Sequence, residues 1–478
     1  MKPSIHVLSD QDCRELHTRS LDLLERVGMR IASSPACELL ARSGAHVEPA
    51  SCQVCFPPEM IENALTSAPR TFSLGARRPE WDLKMNVGEC SLLADGEGVY
   101  VLDRKSGERR ASTFEDWVRA TRFIDALDEI GVYWSMVEGG QGDRSHADMI
   151  RFWRTLFANF SKHVQDSLQE PDQAPWLLEV LEILFGDRET IRREHPFSFL
   201  YCPQSPLVLE EAATDAYLAL RGLDIPVAIM PMPLMGATAP GSLISTLLLA
   251  NCEVLGALCL IQCAEPGTPC LYAPVSAVIN PRTGLYSGGA IEQSLLSAAS
   301  IEMARYYGLP SEGTGFGSDH FIPGVQAAIE RSLNSVLPAL EWPDILVGPG
   351  LLGGSMVLSL EQLLLDVEIF RKLERMRRGI NVEVEAWLEA VIREIGPGGN
   401  YLGHPSTRAA THGGEWYLSK IGVHDPYDSW VRRGKPTLLV DVRREAERLL
   451  ETHQPLPLDP AVEHELQRLE QKARRHAS

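Results

Sequence analysis

CLYAPVSAV (270–278) is the first of three short apolar runs that alternate with longer amphipathic runs over residues 270–376. The runs that follow it are AIEQSLLSAASIEMARYYG (290–308), LPSEGTGFGS (309–318), GVQAAIERSLNSVLPALEW (324–342), DILVGPGLL (344–352) and SLEQLLLDVEIFRKLERM (359–376). A short apolar or β-branched run predicts a buried strand, and a longer run with apolar residues at helical spacing predicts a helix. The stretch therefore predicts three consecutive strand–helix pairs.

The same alternation extends upstream and gives five more pairs. In order, they are ECSLLAD (89–95) with TFEDWVRATRFIDAL (113–127), GVYWSMVEG (131–139) with SHADMIRFWRTLFANF (145–160), KHVQDSL (162–168) with PWLLEVLEILF (175–185), FSFLYCPQSPL (197–207) with LEEAATDAYLALRG (209–222), and PVAIMPMPLMG (226–236) with SLISTLLLANCEVLGALCLIQCA (242–264). Eight pairs is the number found in a closed (β/α)8 barrel, so we predict an α/β fold with a TIM barrel over residues 85–378.

An open doubly wound sheet is the competing architecture. It normally carries a glycine-rich phosphate turn after its first strand, and the sequence has none there. GTGFGS (313–318) follows the seventh strand and lacks the Lys-Ser/Thr continuation of a phosphate-binding loop. We interpret it as a tight loop at the top of the barrel.

Two flanking regions complete the predicted organisation. Residues 1–84 contain capped amphipathic runs and predict an N-terminal helical layer packed on the barrel. Residues 379–478 predict a C-terminal helical extension that ends in a charged helix rich in Glu and Arg.

The composition limits the partners. The 478 residues include 45 Lys and Arg against 64 Asp and Glu, a net charge of −19, which argues against nucleic acid as a partner. Cys52 and Cys55 form a lone Cys-x-x-Cys without a second pair at zinc-ribbon spacing, so we expect no directly bound metal. The start MKPSIHVLSDQDC lacks an apolar signal core, and no long uncharged apolar stretch predicts a membrane span, so we expect a cytoplasmic protein.

The ends of the predicted strands indicate the site, because the chemistry of such barrels lies at the carboxyl ends of the strands. These ends supply Asp95, Glu97, Tyr100, Trp134, Met136, Glu138, His163, Gln165, Asp166, Tyr201, Gln204, Met230, Met232, Met235, Tyr272, Ser276, Glu312, Thr314, Phe316, Gly348 and Gly350. Carboxylates, rings and thioethers without lysine or arginine favour a cationic ligand, since a quaternary ammonium is held by ring faces and carboxylates. Serine-hydrolase (GxSxG) and zinc-protease (HExxH) motifs are both missing from the sequence.

Several stretches resemble a known family. They are ERVGMRI (25–31), VYVLDRKSGERRAST (99–113) with FEDWVR (114–119), SKHV (161–164), PMPLMGATAPGSLISTLLLANCEVLGALCLIQCAEPGTPCLY (231–272), GLPSEGTGFGSDHFIPGVQAAIERSL (308–333), GGSMVLSLEQLLLDVEI (353–369) and HPSTRAATHGGEWYLSKI (404–421). Over nearly the whole chain, the sequence resembles the trimethylamine methyltransferase superfamily.

The resemblance implies a (β/α)8 enzyme that moves a methyl group from a methylated amine to the cobalt of a separate small corrinoid protein docked over the barrel mouth. Trimethylamine enzymes carry pyrrolysine in the loop after the seventh strand. Here the corresponding loop, 317–321, reads Ser318, Asp319 and His320 instead. This pattern is similar to the branch without pyrrolysine, which implies a quaternary-amine donor such as glycine betaine or a related betaine.

The chemistry of the donor agrees with that interpretation. A tertiary amine is protonated at neutral pH and needs activation, whereas a quaternary nitrogen already leaves as a neutral amine. Cobalt(I) is a strong nucleophile, so the protein chiefly binds and aligns the donor, and no general acid is needed.

From the resemblance and the strand ends together we predict the site. Asp319 and His320 are the predicted catalytic residues, facing the methyl group or the incoming corrinoid. Trp134, Tyr201, Tyr272 and Phe316 are predicted ring faces, Glu138 or Glu312 the counter-charge, and His163 and Gln165 the anchor of a substrate carboxylate. Gly236, Gly315 and Gly350 are predicted to face the corrinoid.

Three alternatives remain open from the sequence. The chain could be a non-catalytic quaternary-amine-binding barrel, a tertiary methylamine methyltransferase without pyrrolysine, or an unrelated metal-dependent barrel hydrolase.

The run at 242–264 is apolar on more than one face. This predicts a homo-oligomer that buries this helix or the N-terminal layer. A helix covered by the C-terminal extension would show the same pattern.

Overall fold

Eight parallel strands form the centre of the fold. The computed structural model describes residue 3 and residues 5–104, 106–139 and 145–476. The central strands are β1 (Ser91–Leu93), β2 (Ile130–Tyr133), β3 (His163–Asp166), β4 (Phe197–Tyr201), β5 (Val227–Ile229), β6 (Cys270–Tyr272), β7 (Glu312–Thr314) and β8 (Ile345–Val347). They bond in the order β6-β5-β4-β3-β2-β1-β8-β7, and a parallel bridge from Tyr272 to Ser311 joins the two ends. The sheet is therefore closed into a barrel.

Helices surround the barrel and extend it at both termini. They are α1 (Asp10–Arg26), α2 (Ser34–Arg42), α3 (Pro58–Ser67), α4 (Phe114–Asp125), α5 (His146–Asn159), α6 (Ala174–Phe185), α7 (Arg188–Glu194), α8 (Glu211–Ala219), α9 (Leu243–Ala264), α10 (Ile291–Tyr307), α11 (Val325–Glu341), α12 (Leu360–Arg378), α13 (Glu389–Ile395), α14 (Pro405–His412), α15 (Tyr427–Arg432), α16 (Leu438–Thr452) and α17 (Pro460–His476). Short 3-10 turns span Pro79–Trp81, Pro171–Gln173 and Val384–Ala386.

The predicted barrel is confirmed. Every central strand matches the apolar run that predicts it, and α4, α5, α6, α8, α9, α10, α11 and α12 match the eight predicted helical runs. Only β2, α6 and α12 extend beyond their runs, by one or two residues. Capping residues explain where individual helices begin. For example, Thr113 caps α4 through a reciprocal capping box with Asp116, which satisfies backbone donors that the first turn leaves unpaired.

Short strands tie the barrel loops to each other and to the N-terminal layer. One sheet joins Met29–Ile31, His46–Glu48, Gln53–Cys55 and Val208–Leu209. A second joins Tyr100–Leu102, Arg109–Ala111, Leu351–Leu352 and Val357–Leu358. A third pairs Leu234–Met235 with Ala277–Val278, and a hairpin pairs Ser73–Leu74 with Leu83–Lys84. The second and third sheets link loops that follow strands β1 and β8, and strands β5 and β6, and they brace the mouth of the barrel.

The hairpin closes the opposite end of the barrel. Its Leu74 and the adjoining Met85 are buried in one cluster with inward side chains such as Leu93 and Val132. Gly75 donates its N–H to His195 O at 2.9 Å, and a Cβ at Gly75 would lie 2.2 Å from Glu194 O, so the close approach requires glycine. Access to the barrel interior is consequently from the mouth.

Helix α9 is long and apolar enough to cross a membrane, but 78% of its most apolar window is buried inside the protein. Helices α1 and α3 pack across it, and Met29 fills the space beside Gly256. A core helix of this kind is apolar on several faces because its own chain covers them. The apolarity of α9 therefore requires no second copy, and our sequence argument for an oligomer loses its basis.

The C-terminal extension has two different parts. Helix α16 packs on α12 and α4, and α17 packs on α5 and α6. Between α12 and α16, helices α13, α14 and α15 contain no buried residue, although the structure describes all of residues 380–437.

Candidate active site

An acidic funnel opens at the barrel mouth. We use this name for four carboxyl side chains and one thiol: Glu97, Glu138, Asp166, Cys202 and Glu312. Glu97, Glu138, Asp166 and Cys202 follow or end strands β1, β2, β3 and β4 respectively, whereas Glu312 is the first residue of β7. Glu97, Glu138 and Cys202 are exposed, Asp166 is half-buried, and Glu312 is 1% exposed at the base of the group.

Strand geometry brings Glu312 into the barrel. Side chains alternate along a strand, and β3 and β7 lie on opposite sides of an eight-stranded barrel. Gln165 Nε2 donates to Glu312 Oε1 at 3.1 Å, so the two inward side chains meet across the interior.

A row of buried polar groups lies below Gln165. His163 Nδ1 lies 2.8 Å from Gly75 O, so this nitrogen carries the hydrogen, and Nε2 lies 2.8 Å from Ser198 Oγ. Ser198 Oγ is 3.3 Å from Gln165 Oε1. The oxygen of the Gln165 amide therefore faces Ser198, and its amino group faces Glu312.

The His163 prediction needs correction. This ring is fully buried, both of its nitrogens are engaged, and burial lowers its pKa to about 4. A neutral, occupied imidazole below the funnel cannot anchor a substrate carboxylate. Nε2 accepts the single hydroxyl hydrogen of Ser198, so His163 fixes Ser198 beneath Gln165 rather than Gln165 itself.

The funnel raises the pKa of its own acids. Burial raises the pKa of Glu312 to about 8, opposed by the hydrogen bond from Gln165. Burial, with a smaller contribution from Glu97, raises the pKa of Asp166 to about 7. The pKa of Glu97 is raised by burial and by the charge of Glu138. The empty funnel holds protons at neutral pH, and a bound cation would favour their release.

Cys202 lies at the mouth beside the acids of the funnel. It is exposed to solvent, yet burial raises the pKa of its thiol to about 12, with contributions from the charges of Glu97 and Glu312. The effect of these two charges places the thiol beside the acids of the funnel. The sequence analysis missed Cys202, although strand alternation after the outward Tyr201 would have pointed to it.

Positive charge is scarce around the funnel. Within the described ranges, no lysine, arginine or histidine lowers the pKa of Glu97, Asp166, Cys202 or Glu312. Arg331 is fully buried and is committed to Asp366 and to Leu351 O.

Two arginines lie on the rim hairpin, our name for the antiparallel pair Tyr100–Leu102 and Arg109–Ala111 that follows β1. There, Arg109 stacks over Tyr100 at 4.2 Å and Arg110 binds Asp116 at 2.5 Å.

Trp134 lies at the mouth as predicted. Its half-buried indole packs against the inward cluster and lies beside Glu97, whose pKa it lowers, although its N–H has no hydrogen-bond partner of ordinary geometry among the described residues. A Cβ at Gly96 would lie 2.3 Å from the ring. Glycine at this position therefore lets the indole lie flat beside the acid.

Two tyrosines are not at the mouth, and their predicted role is corrected. The Tyr201 hydroxyl lies 2.7 Å from Thr214 Oγ1 on α8, and the Tyr272 hydroxyl donates to Asn251 Oδ1 on α9 at 2.8 Å. Both rings are 1% exposed and belong to the core between barrel and helices. They occupy outward positions, which a prediction from strand ends alone does not distinguish from inward ones.

Phe316 is also withdrawn from the predicted set of ring faces. Its side chain is fully buried in the outer core, with φ at 58°, and its N–H donates to Ser335 Oγ on α11. The turn that follows β7 breaks the strand alternation, so the inward Glu312 does not imply an inward Phe316.

The loop after β7 is held rigidly. Asp319 accepts hydrogen bonds from Ser287 Oγ at 2.6 Å and from Gly289 N at 3.1 Å. The Ser318 hydroxyl donates to Glu330 at 2.7 Å. Asp319 thus joins the loops after β6 and β7, which makes it a positioning residue in this structure rather than a group directed at a donor.

His320 lies on the rim and is partly exposed. Its Nδ1 lies 2.8 Å from Ile322 O and donates a hydrogen bond there. Its carbonyl accepts from Gly353 N at 2.9 Å, which ties it to the loop after β8. This placement leaves its predicted role open to test.

Glu138 and the three glycines predicted to face a corrinoid differ in position. Glu138 is at the mouth and Gly236 is exposed there with φ at 89°. Gly315 and Gly350 are buried, and a Cβ would lie 3.1 Å from Ser335 Oγ and 2.4 Å from Met136 Cε. These two glycines serve packing, which corrects their predicted exposure.

One group of possible metal ligands lies at the other end of the barrel. His6, Glu302 and Glu341 come together there. Glu302 already accepts the N–H groups of Val7 and Leu8, and Arg305 pairs with Glu341. These contacts account for the group, and it has no connection to the acidic funnel.

Comparison with known proteins identifies the family. A family model described as trimethylamine methyltransferase (MTTB) matches residues 1–478. The chain belongs to the trimethylamine methyltransferase family. The resemblance seen in the sequence is thereby confirmed.

Named relatives span nearly the whole chain. Trimethylamine methyltransferase MttB of Desulfitobacterium hafniense (strain DSM 10664 / DCB-2) is 30% identical over 454 residues, covering 95% of this chain and 91% of the relative. Glycine betaine methyltransferase of D. hafniense (strain Y51) is 28% identical over 468 residues, covering 97% and 96%. The relatives are methyltransferases, and the prediction that this family member is an enzyme of that class is confirmed.

A solved structure supports the same architecture. The Methanosarcina barkeri monomethylamine methyltransferase (MtmB) aligns with a TM-score of 0.52 at 13% identity, over 93% of this chain and 88% of that chain. This likeness concerns the fold.

Proposed function

We propose that the protein transfers a methyl group from a quaternary amine to the cobalt(I) of a cognate corrinoid protein. The observation that carries the proposal is the acidic funnel, which opens at the mouth of a barrel in a methyltransferase family and has no positive side chain at its acids among the described residues. A permanent cation matches that chemistry.

The residues of the funnel bind and orient the donor. A quaternary nitrogen donates no hydrogen bonds, so the Trp134 ring face contributes about 0.5–2 kcal/mol and the carboxylates of Glu97 and Glu312 supply the counter-charge. The acceptor attacks one methyl carbon in line. A cobalt–carbon bond forms, the carbon–nitrogen bond breaks, and its electron pair stays on the departing neutral amine, so no proton moves in this step.

The mouth suits an approaching acceptor. Exposed apolar side chains surround it, on loops after β5, β6, β7 and β8. They are Met232, Leu285, Phe321, Ile322 and Met356. A protein that docks there would cover these side chains and exclude water from the funnel, which supports a corrinoid protein as the partner.

A cytoplasmic location belongs to the same proposal. All ten cysteines are unpaired in the structure. Free thiols are typical of a reducing compartment, where a cobalt(I) acceptor could persist.

Methyl transfer is the direct test. The purified chain, the reduced cognate corrinoid protein and a panel of quaternary amines, with trimethylamine included, are mixed and the absorbance of cobalt is followed. We expect conversion of cobalt(I) to methylcobalt(III) with a quaternary amine. Binding without conversion would support the non-catalytic alternative, and conversion with trimethylamine alone would support the tertiary one.

A further inference from the structure

We propose that the acidic funnel selects quaternary ammonium donors whose fourth substituent is uncharged, and discriminates against betaines. This inference rests on the proposed function and narrows its substrate class. It differs from the betaine donor that the sequence resemblance implies.

The charges of the funnel carry the argument. Glu97, Glu138 and Asp166 lie at or after the ends of three strands and Glu312 begins a fourth. Glu97 lies near enough to both Glu138 and Asp166 for their charges to interact. In glycine betaine one methylene separates the nitrogen from the carboxylate, so both charges must enter together. The anionic end then faces like charges, which costs binding free energy.

Nearby basic groups are committed elsewhere in the described structure. Arg331 is 0% exposed and is held by the equally buried Asp366. Arg109 and Arg110 lie on the rim hairpin with Tyr100 and Asp116. The funnel instead offers the uncharged N–H of the Trp134 indole, which has no hydrogen-bond partner of ordinary geometry among the described residues. Such a group suits a hydroxyl or an amide substituent.

Two ligands that differ only in the charge of the fourth substituent test this selectivity. Glycine betaine and its primary amide have the same shape and the same quaternary head, and differ in the charge of the tail. Calorimetric titration of the full chain at pH 8 should give a Kd at least tenfold lower for the amide. Equal affinity, or tighter binding of glycine betaine, would overturn the proposal.

Variants connect the preference to the funnel. Glu97→Gln and Glu312→Gln should each reduce the amide-to-betaine preference at least threefold, because each removes one negative charge. Glu25→Gln, on the exposed face of α1, makes the same chemical change elsewhere and should leave the preference unaltered. A preference that survives both funnel variants would also contradict the proposal.

The methyl-transfer assay separates this inference from the proposed function. If the amide binds more tightly but neither ligand methylates cobalt(I), the charge selectivity stands and the proposed function fails. If glycine betaine is the better ligand and also the methyl donor, the function stands and the selectivity fails.

Discussion

Gln165 Nε2 donates a hydrogen bond to Glu312 Oε1 at 3.1 Å across the interior of the barrel. The contact joins β3 to β7 and marks the base of the acidic funnel. Because the amide donates, it stabilises the ionised form of Glu312, which burial otherwise disfavours. The pair therefore sets how readily the funnel presents negative charge to a cation.

Replacing Gln165 by Met should raise the pKa of Glu312 further and weaken the binding of a quaternary amine at pH 7 by about tenfold, the size expected from losing a hydrogen bond to a charged group. The pH midpoint for binding should move upward. Gln467→Met removes an exposed 2.9 Å hydrogen bond between glutamine and Glu463 on α17 and should change neither quantity. An unchanged midpoint in Gln165→Met would show that the contact does not control Glu312.

The empty protein should become less stable as pH rises from about 5 to 8. Glu312 has a pKa of about 8 and Asp166 of about 7 in the folded protein, both above their ordinary values. Between the unfolded and folded pKa values the native state holds more protons, so the free energy of unfolding falls with pH. A quaternary amine should bind more tightly over the same rise and release protons.

Thermal unfolding between pH 5.5 and 8.5, with and without ligand, checks both trends. Glu312→Gln should unfold at a higher temperature than the wild-type protein at pH 8.5 and gain less from the ligand. The same Tm for variant and wild-type protein across this range would contradict the raised pKa of Glu312.

His320→Ala should lower the rate of methyl transfer by at least about tenfold, or roughly 1.4 kcal/mol of transition-state stabilisation, while amine affinity and folding change little. The reason is its place on the rim, where the acceptor would approach. Cys52→Ala, in the N-terminal layer, should have full activity. Full activity of the His320 variant would remove this residue from the reaction.

Tyr201→Phe should lower the free energy of unfolding by about 1 kcal/mol and leave amine affinity unchanged, because its hydroxyl bonds Thr214 on α8 rather than a ligand. Chemical denaturation and calorimetry measure the two effects. A large loss of affinity with normal stability would return Tyr201 to the site.

The barrel could be predicted because each strand run and each helix run carries its own local pattern. The mouth residues Trp134 and Glu138 were predictable from strand ends, but Glu312 begins its strand and lies deeper, and the direction of a side chain was not predictable. Tyr201 and Tyr272 turn outward, and Cys202 is exposed at the mouth, because burial follows an alternation that one apolar run does not fix.

Long-range contacts account for the other differences. His163 is neutral because the barrel core buries its ring, and its Nδ1 lies 2.8 Å from the carbonyl oxygen of Gly75, 88 residues earlier in the chain. Asp319 is bound by Ser287 and Gly289 from the preceding barrel loop. Partners so distant in sequence leave no local signal.

The most direct test of the claim that the acidic funnel binds the methyl donor is the rate at which Glu312→Gln forms methylcobalt(III). The rate is measured at subsaturating quaternary amine and pH 8, beside the wild-type protein and Glu25→Gln. We predict a fall of at least about tenfold for Glu312→Gln, recovered in part at saturating amine, because the carboxylate binds the cation. A wild-type rate in Glu312→Gln would show that the acidic funnel is not where the methyl donor binds.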